Sequence, residues 1–182
     1  MVVCCLLFLA ASCSRPPKQG GYSPSFPPVI AGRQTLSGRV VKVADGDTVT
    51  VLDVSNTQHR IRLEGIDAPE SHQDFGTQSK KNLSSLIFGR DVTVVYDKTD
   101  RYGRLVGKIL LDGKDINLEQ IKAGLAWHYK EYERDQAPED RELYARAEDE
   151  ARSARRGLWV DPNPLEPGEF RREERDERKS AK

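Results

Sequence analysis

Cysteine is missing from everything beyond residue 13: the three cysteines of the chain are Cys4, Cys5 and Cys13. The part that folds therefore has no disulfide and no thiolate to offer a metal. Its histidines, His59, His72 and His128, are scattered singly, which argues against a zinc centre. An excess of either charge is missing too. With 29 Lys and Arg against 29 Asp and Glu, no global field draws the chain toward a polyanion, so affinity for phosphate has to come from local clusters of basic residues. Long apolar runs are absent as well. The one apolar stretch, Val2 to Ala11, is too short to span a bilayer, so a permanent transmembrane helix is not expected. There are no internal repeats. What remains is 182 residues with 37% apolar side chains, enough for one domain with a real core.

The apolar start, ending in small residues, reads as an export signal. Leu9-Ala10-Ala11-Ser12-Cys13 resembles a bacterial lipobox, which would make Cys13 the lipidated first residue of the mature protein. The alternative is a plain secretory signal cleaved near Ser12. Either way the chain is expected to be exported, anchored to the cell envelope by lipid or secreted. Residues 14–34 hold Pro16, Pro17, Pro24, Pro27 and Pro28 and read as an extended tether. The folded domain is expected over 35–162. Residues 163–182 are charged and, with almost no apolar side chains from 169 on, are expected to be disordered or a frayed helix.

Within the domain, Val40 to Val43, an Asp45-Gly46-Asp47 turn and Thr48 to Leu52 form a hairpin pattern. A third strand follows over 58–66, where Ile61 and Leu63 alternate with Arg60, Arg62 and Glu64; period 2 puts Arg62 on the face opposite the apolar pair. Gly76 to Phe88 reads as a helix with Leu83, Leu86 and Ile87 on one side and Gly89 as its stop. Val92, Val94 and Tyr96 mark another strand, and Leu105, Ile109 and Leu111 the next. Asn117 with Gln120 looks like a capping box opening a helix with a Leu118, Ile121, Leu125 stripe. A last helix runs from Pro138 to about Arg156, with Leu143, Ala147, Ala151 and Ala154 as its buried stripe and Gly157 as its stop. This order suits an α+β, mainly β fold: a small barrel with helices packed outside.

Three carboxylates stand at turns or strand ends: Asp47, Asp67 and Glu70. Taken singly, Asp45-Gly46-Asp47 is ordinary turn chemistry and Asp67-Ala68-Pro69 a rigid strand exit. Arg62 and Arg104 change that reading. A phosphodiester undergoing in-line displacement gathers negative charge on its non-bridging oxygens, which guanidinium groups meet with two donors each. A hard divalent cation held by carboxylates does the same.

The motifs Val43-Ala44-Asp45-Gly46-Asp47-Thr48, Ile61-Arg62-Leu63-Glu64-Gly65-Ile66-Asp67-Ala68-Pro69-Glu70 and Asp100-Arg101-Tyr102-Gly103-Arg104 resemble those of the staphylococcal nuclease-like, or thermonuclease, family. The likeness continues through Gly124-Leu125-Ala126-Trp127 and Arg156-Gly157-Leu158-Trp159, so it covers residues 36–160. It implies a five-stranded OB-fold barrel with three packed α-helices. It also implies a Ca2+ site made by Asp47, Asp67 and the backbone carbonyl of Ala68, with Mg2+ or Mn2+ accepted by the same kinds of ligand. By the same resemblance Glu70 is the general base, and Arg62 and Arg104 hold the phosphate. The implied reaction is hydrolysis of DNA and RNA, single strands preferred, to 3′-phosphate products.

Tyr102, Tyr129 and Tyr132 are candidates for stacking on the nucleotide, against the alternative of core or rim packing. No protein partner is inferred, and a monomer is expected. Two other functions remain open: an OB-fold module that binds nucleic acid without cutting it, and an envelope adaptor lipoprotein working through its charged tail. Presence of all five polar residues argues against the first, and cleavage is expected to survive removal of residues 169–182.

Overall fold

The computed structural model describes residues 32–181. The apolar start, Cys13 and most of the Pro-rich stretch lie outside the described residues.

The chain forms β1 Gln34–Val43, β2 Thr48–Asp53, β3 Gln58–Leu63, β4 Ile66–Asp67, α1 Gly76–Ile87, β5 Asp91–Thr99 and β6 Leu105–Leu111. It continues through β7 Lys114–Asp115, α2 Ile116–Lys122, β8 Trp127–His128, a 3-10 turn Lys130–Asp135, α3 Pro138–Ser153, a second 3-10 turn Gly157–Val160 and α4 Pro167–Ser180. Antiparallel pairing joins β3, β2, β1, β5 and β6 in that order, and a parallel β3–β6 pairing, Ile61 against Leu105 and Leu63 against Gly107, closes them. The result is the expected five-stranded closed barrel of OB type with helices outside.

Alternation explains the core. Val49, Val51, Ile61, Leu63, Val92, Val94 and Ile109 all point inward and are buried. In β1 the register shifts between Val40 and Lys42, a bulge that lets Val40 and Val43, out of phase with each other, both face the core. Leu83 and Ile87 of α1 and Ile116, Leu118 and Ile121 of α2 join the same cluster. A smaller cluster of Trp127, Ala151, Leu158 and Trp159 fastens the carboxyl-terminal part, with the two indoles edge to face at 5.6 Å.

Four expectations need correction. The cap of α2 is Asp115, whose carboxylate accepts from the Leu118 N–H at 3.0 Å; Asn117 and Gln120 lie inside the helix, fully buried. Their amides serve the interior instead of the helix end. In α3 the buried side is Tyr144, Ala147, Glu148 and Ala151, while Leu143 is 37% exposed. The Tyr144 ring fills the core and its hydroxyl donates to Asp115 at 2.9 Å, which turns the helix away from the all-aliphatic stripe. The helix stops at Ser153, before Gly157, whose place is a close approach: a Cβ there would lie 2.1 Å from the Gly124 carbonyl oxygen.

Finally, the tail expected to be disordered or a frayed helix forms a docked helix, α4, a fourth beside the three expected. It has almost no apolar groups, yet Pro167 in its first turn is buried, Phe170 packs on His72 at 5.2 Å, and Glu174 meets both His72 at 2.6 Å and Arg178 at 3.2 Å. Helical spacing of charges, which composition does not register, supplies the pairing.

Asn117 is the cross-brace between barrel and helices. Its Oδ1 accepts from the Ile109 N–H at 3.1 Å, and its Nδ2 donates to the carbonyls of Glu64 at 3.0 Å and Gly107 at 3.2 Å. Asn117→Ala leaves these buried groups unpaired and is expected to cost ~2–4 kcal/mol. A lower urea midpoint at unchanged m-value checks this; an unchanged midpoint refutes the brace.

Candidate catalytic cleft

The turn between β1 and β2 is built around a glycine with no room for a side chain. A Cβ on Gly46 would sit 2.0 Å from Ser79 Oγ and 2.7 Å from Ala68 Cβ, so α1 and the strand exit at Ala68 press directly on the turn. Gln120 Nε2 donates to the Gly46 carbonyl at 2.7 Å. This packing places Asp47, only 7% exposed, with Oδ1 accepting from the Thr48 hydroxyl at 3.0 Å and Oδ2 from the Ala68 N–H at 2.9 Å.

Arg62, on the half-buried face of β3 as its alternation requires, closes the other side. Its Nη1 donates to the carbonyls of Leu63 at 2.9 Å and Ile66 at 2.7 Å. Its Nη2 lies 2.9 Å from Asp67 Oδ1 and 3.2 Å from Asp47 Oδ2. One guanidinium thus ties both carboxylates and the chain reversal between β3 and β4. Asp67 lies in β4, whose pairing with β8 brings Tyr129 alongside through a bond from the Tyr129 N–H to the Gly65 carbonyl at 2.9 Å.

Glu70 follows in the loop after β4, its backbone N–H held by Gln73 Oε1 at 3.1 Å. Gly76 lets that loop fold back on the start of α1, since a Cβ there would be 1.9 Å from the Glu70 carbonyl oxygen. Arg104 comes from the β5–β6 hairpin. Asp100 organises it, accepting from the backbone N–H groups of Tyr102 and Arg104 at 2.9 Å each and from Arg104 Nε at 2.7 Å. Among the described residues neither Nη of Arg104 has a hydrogen-bond partner. The two arginines therefore differ: both terminal nitrogens of Arg62 are engaged by the protein, whereas those of Arg104 are available as a fork.

Every candidate residue within the described part lines one cleft of about 880 Å³. Tyr102 stands 63% exposed at its edge, between Arg101 and Arg104, whose guanidinium carbons lie 4.9 and 5.5 Å from its ring centre. Tyr129 packs against Tyr132 at 5.0 Å. None of the three is in the barrel core.

The electrostatics are those of crowded, partly buried acids. Burial, and then the Asp47 charge, push the Asp45 carboxyl up to about 6. Asp45, legible from the sequence only as a turn residue, is thus part of the same charge cluster. Burial also raises Asp67, outweighing the pull of Arg62 and Arg171. For Asp100 burial works the same way but loses to the N–H groups and side chain of Arg104, which hold it low. Burial and the Asp67 charge push Tyr129 up to about 12, leaving it a hydrogen-bond donor at neutral pH.

Sequence reading missed Arg171. From α4 its Nη1 reaches Glu70 Oε1 at 2.8 Å and Asp67 Oδ1 at 3.4 Å, and its Nη2 reaches Asp67 Oδ2 at 3.0 Å. These carboxylates raise its pKa against the opposing effect of burial. The tail expected to stand apart from the site therefore touches two of its acids. Only the helical spacing of Phe170, Arg171 and Glu174 hinted at a docked face.

The donor set suits a hard cation. Asp47 and Asp67 converge on the same Arg62 nitrogen beside Ala68, and carboxylate and carbonyl oxygens are the ligands such a cation takes. Among the described residues no three Asp, Glu, His or Cys side chains form a closed cage. A cation here would have Asp47, Asp67 and the Ala68 carbonyl as its protein ligands, with water completing the shell.

Residues 60–161 match the family model described as staphylococcal nuclease homologue. The chain is 41% identical over 143 residues to a Haemophilus influenzae protein named "Uncharacterized endonuclease", covering 79% of this chain and 77% of that one. It is 44% identical over 133 residues to an Escherichia coli protein of the same name, covering 72% and 82%. It is 40% identical over 144 residues to a Shigella flexneri protein named "Micrococcal nuclease", covering 74% and 80%.

A divalent cation held by Asp67 would compete with Arg171 for its oxygens, so Arg171→Ala is expected to bind Ca2+ more tightly. One charge-assisted hydrogen bond is worth ~1.5–3 kcal/mol, so the gain is about tenfold to a hundredfold. Calorimetric titration without nucleic acid measures it; equal or weaker affinity would show that Arg171 does not compete.

Proposed function

From the premise that the chain belongs to the staphylococcal nuclease family, we propose that it cuts DNA and RNA by hydrolysing phosphodiester bonds in this cleft, preferring single strands and leaving 3′-phosphates. The observation that carries the reading is the meeting of an open arginine fork, Arg104, with Glu70 and two buried carboxylates in one cleft.

The residues divide the work. Arg104 grips two non-bridging oxygens of the phosphate and strengthens its hold as charge builds on them. Arg62, engaged at both terminal nitrogens, contributes its charge and keeps Asp47 and Asp67 in place. Glu70 takes the proton of the attacking water. Its Oε2 has no partner among the described residues, so this oxygen can accept while Oε1 is held by Arg171. The new P–O bond forms as the bond to the 5′ oxygen breaks, and the departing 5′ oxygen takes a proton from solvent, giving a 3′-phosphate and a 5′-hydroxyl. A divalent cation, Ca2+ by this reading, held by Asp47, Asp67 and the Ala68 carbonyl would supply further positive charge to the phosphate. Tyr129 lines the cleft with its hydroxyl donating to Glu131 at 3.1 Å, and Tyr102 offers an exposed face for a base.

Export through the amino-terminal signal, with Cys13 as a lipid anchor, belongs to the same proposal. Mass spectrometry of the mature amino terminus distinguishes anchored from secreted protein.

Glu70→Gln and Arg104→Ala are each expected to lower kcat by about 10²–10³ with unchanged melting temperature. Arg62→Ala should lose activity and also melt lower, since it leaves two buried carboxylates poorly paired. Cleavage of single-stranded DNA with Ca2+, Mg2+, Mn2+ or EDTA is the assay. Strand binding without cutting under any cation would replace the nuclease by a non-catalytic binding module.

A further inference from the structure

Helix α4 has the sequence Pro-Gly-Glu-Phe-Arg-Arg-Glu-Glu-Arg-Asp-Glu-Arg-Lys-Ser, with five basic and five acidic residues, so its net charge is zero. Its charges are not mixed around the axis. At 3.6 residues per turn, Arg171, Arg172, Arg175, Arg178 and Lys179 fall within an arc of roughly 120°, and all five acids lie outside it. A solubilising helix with interspersed pairs would not sort its charges in this way.

The docking of α4 gives that sorting a direction. Phe170 and Glu174 face His72, and Arg171 reaches Asp67 and Glu70, so the basic arc turns toward the cleft. Arg172 and Arg175 line the cleft itself. A second hollow of about 400 Å³ shares Arg171 and Arg175 with it and runs on to Arg178 and Lys179. Arg172 and Arg175 are exposed and make no ion pair among the described residues. Arg178 and Lys179 pair only with Glu174 and Asp176 on the exposed surface, at 3.2 and 3.3 Å, contacts weak enough to be exchanged for a phosphate.

We propose that this face of α4 is a track for a polynucleotide backbone, binding the phosphates next to the one being cut as the strand leaves the cleft. The proposal rests on the nuclease reading and extends it from the scissile phosphate to its neighbours. From Arg171 to Lys179 the helix rises ~12 Å, enough to run beside a few successive phosphates of a strand. Guanidinium groups suit such a row because each offers a fork to an anionic oxygen pair without reading the base. The global charge balance is no obstacle, because the field that matters is that of one face.

The test compares the full chain with a variant carrying Arg172→Gln, Arg175→Gln, Arg178→Gln and Lys179→Gln, with Arg171 kept. Binding of a fluorescent 20-nucleotide single strand is measured in both on a Glu70→Gln background, across a range of salt. The variant is expected to bind at least tenfold more weakly at low salt. Its log–log salt slope should be shallower by up to about 2, at ~0.7 per lost phosphate contact. With Glu70 present, kcat/KM on the 20-nucleotide strand should fall much more than on a dinucleotide too short to reach the far end of α4.

Glu173→Gln with Glu177→Gln, on the opposite face, leaves activity unchanged and serves as the control for helix integrity by circular dichroism. An unchanged salt slope, or equal losses on long and short substrates, overturns the track. Faster cleavage with an unchanged slope also overturns it, making α4 a lid. If the chain cuts nothing but the slope still falls, the track stands and the nuclease reading fails.

Discussion

The site depends on one arrangement: two buried carboxylates, Asp47 and Asp67, sharing a single guanidinium nitrogen of Arg62. Like charges in a poorly solvated place repel, and burial alone already raises Asp67. Arg62 offsets this while its other terminal nitrogen holds the carbonyls of Leu63 and Ile66. The same contact therefore balances charge and bends the chain from β3 into β4. A buried group with so many obligations has few alternative positions, and this holds the acids in place ahead of any substrate.

Behind that arrangement lies a polar frame inside the barrel. Gln120 reaches the carbonyl of Gly46 and Asn117 those of Glu64 and Gly107, so α2 grips both the β1–β2 turn and the end of β3. Ser79 of α1 donates to the Leu125 carbonyl at 2.6 Å and leaves no room beside Gly46. The candidate groups sit on turns or strand ends, and these are braced from the core. The barrel supplies rigidity and the turns supply chemistry.

Helix α4 adds a second layer. It is held by one aromatic contact, a few ion pairs and the grip of Arg171 on Asp67 and Glu70. Such an attachment is small beside the barrel core, and its contacts fall on the acids that the proposed chemistry needs. On the proposed chemistry, substrate, cation and helix would draw on overlapping charges, so a change at one would be felt at the others.

Much of this was determined by the sequence alone. Period 2 in β3 separated Arg62 from Ile61 and Leu63, glycines marked the turns, and the spaced motifs identified the acids and arginines that the structure gathers into one cleft. Local pattern suffices there, because strand faces and turns are set by neighbours in the chain. Tertiary structure decided the rest. Asn117 and Gln120 read as a cap until long-range contacts made them interior braces. Leu143 read as core until the Tyr144 hydroxyl found Asp115. Asp45 read as a turn residue until burial placed it with Asp47. Arg171 read as part of a disordered or frayed tail, because nothing near it in sequence reveals that a helix can bring it to Asp67 and Glu70, about a hundred positions earlier. Composition reports how much charge a segment carries; only the folded chain sets which charges face each other.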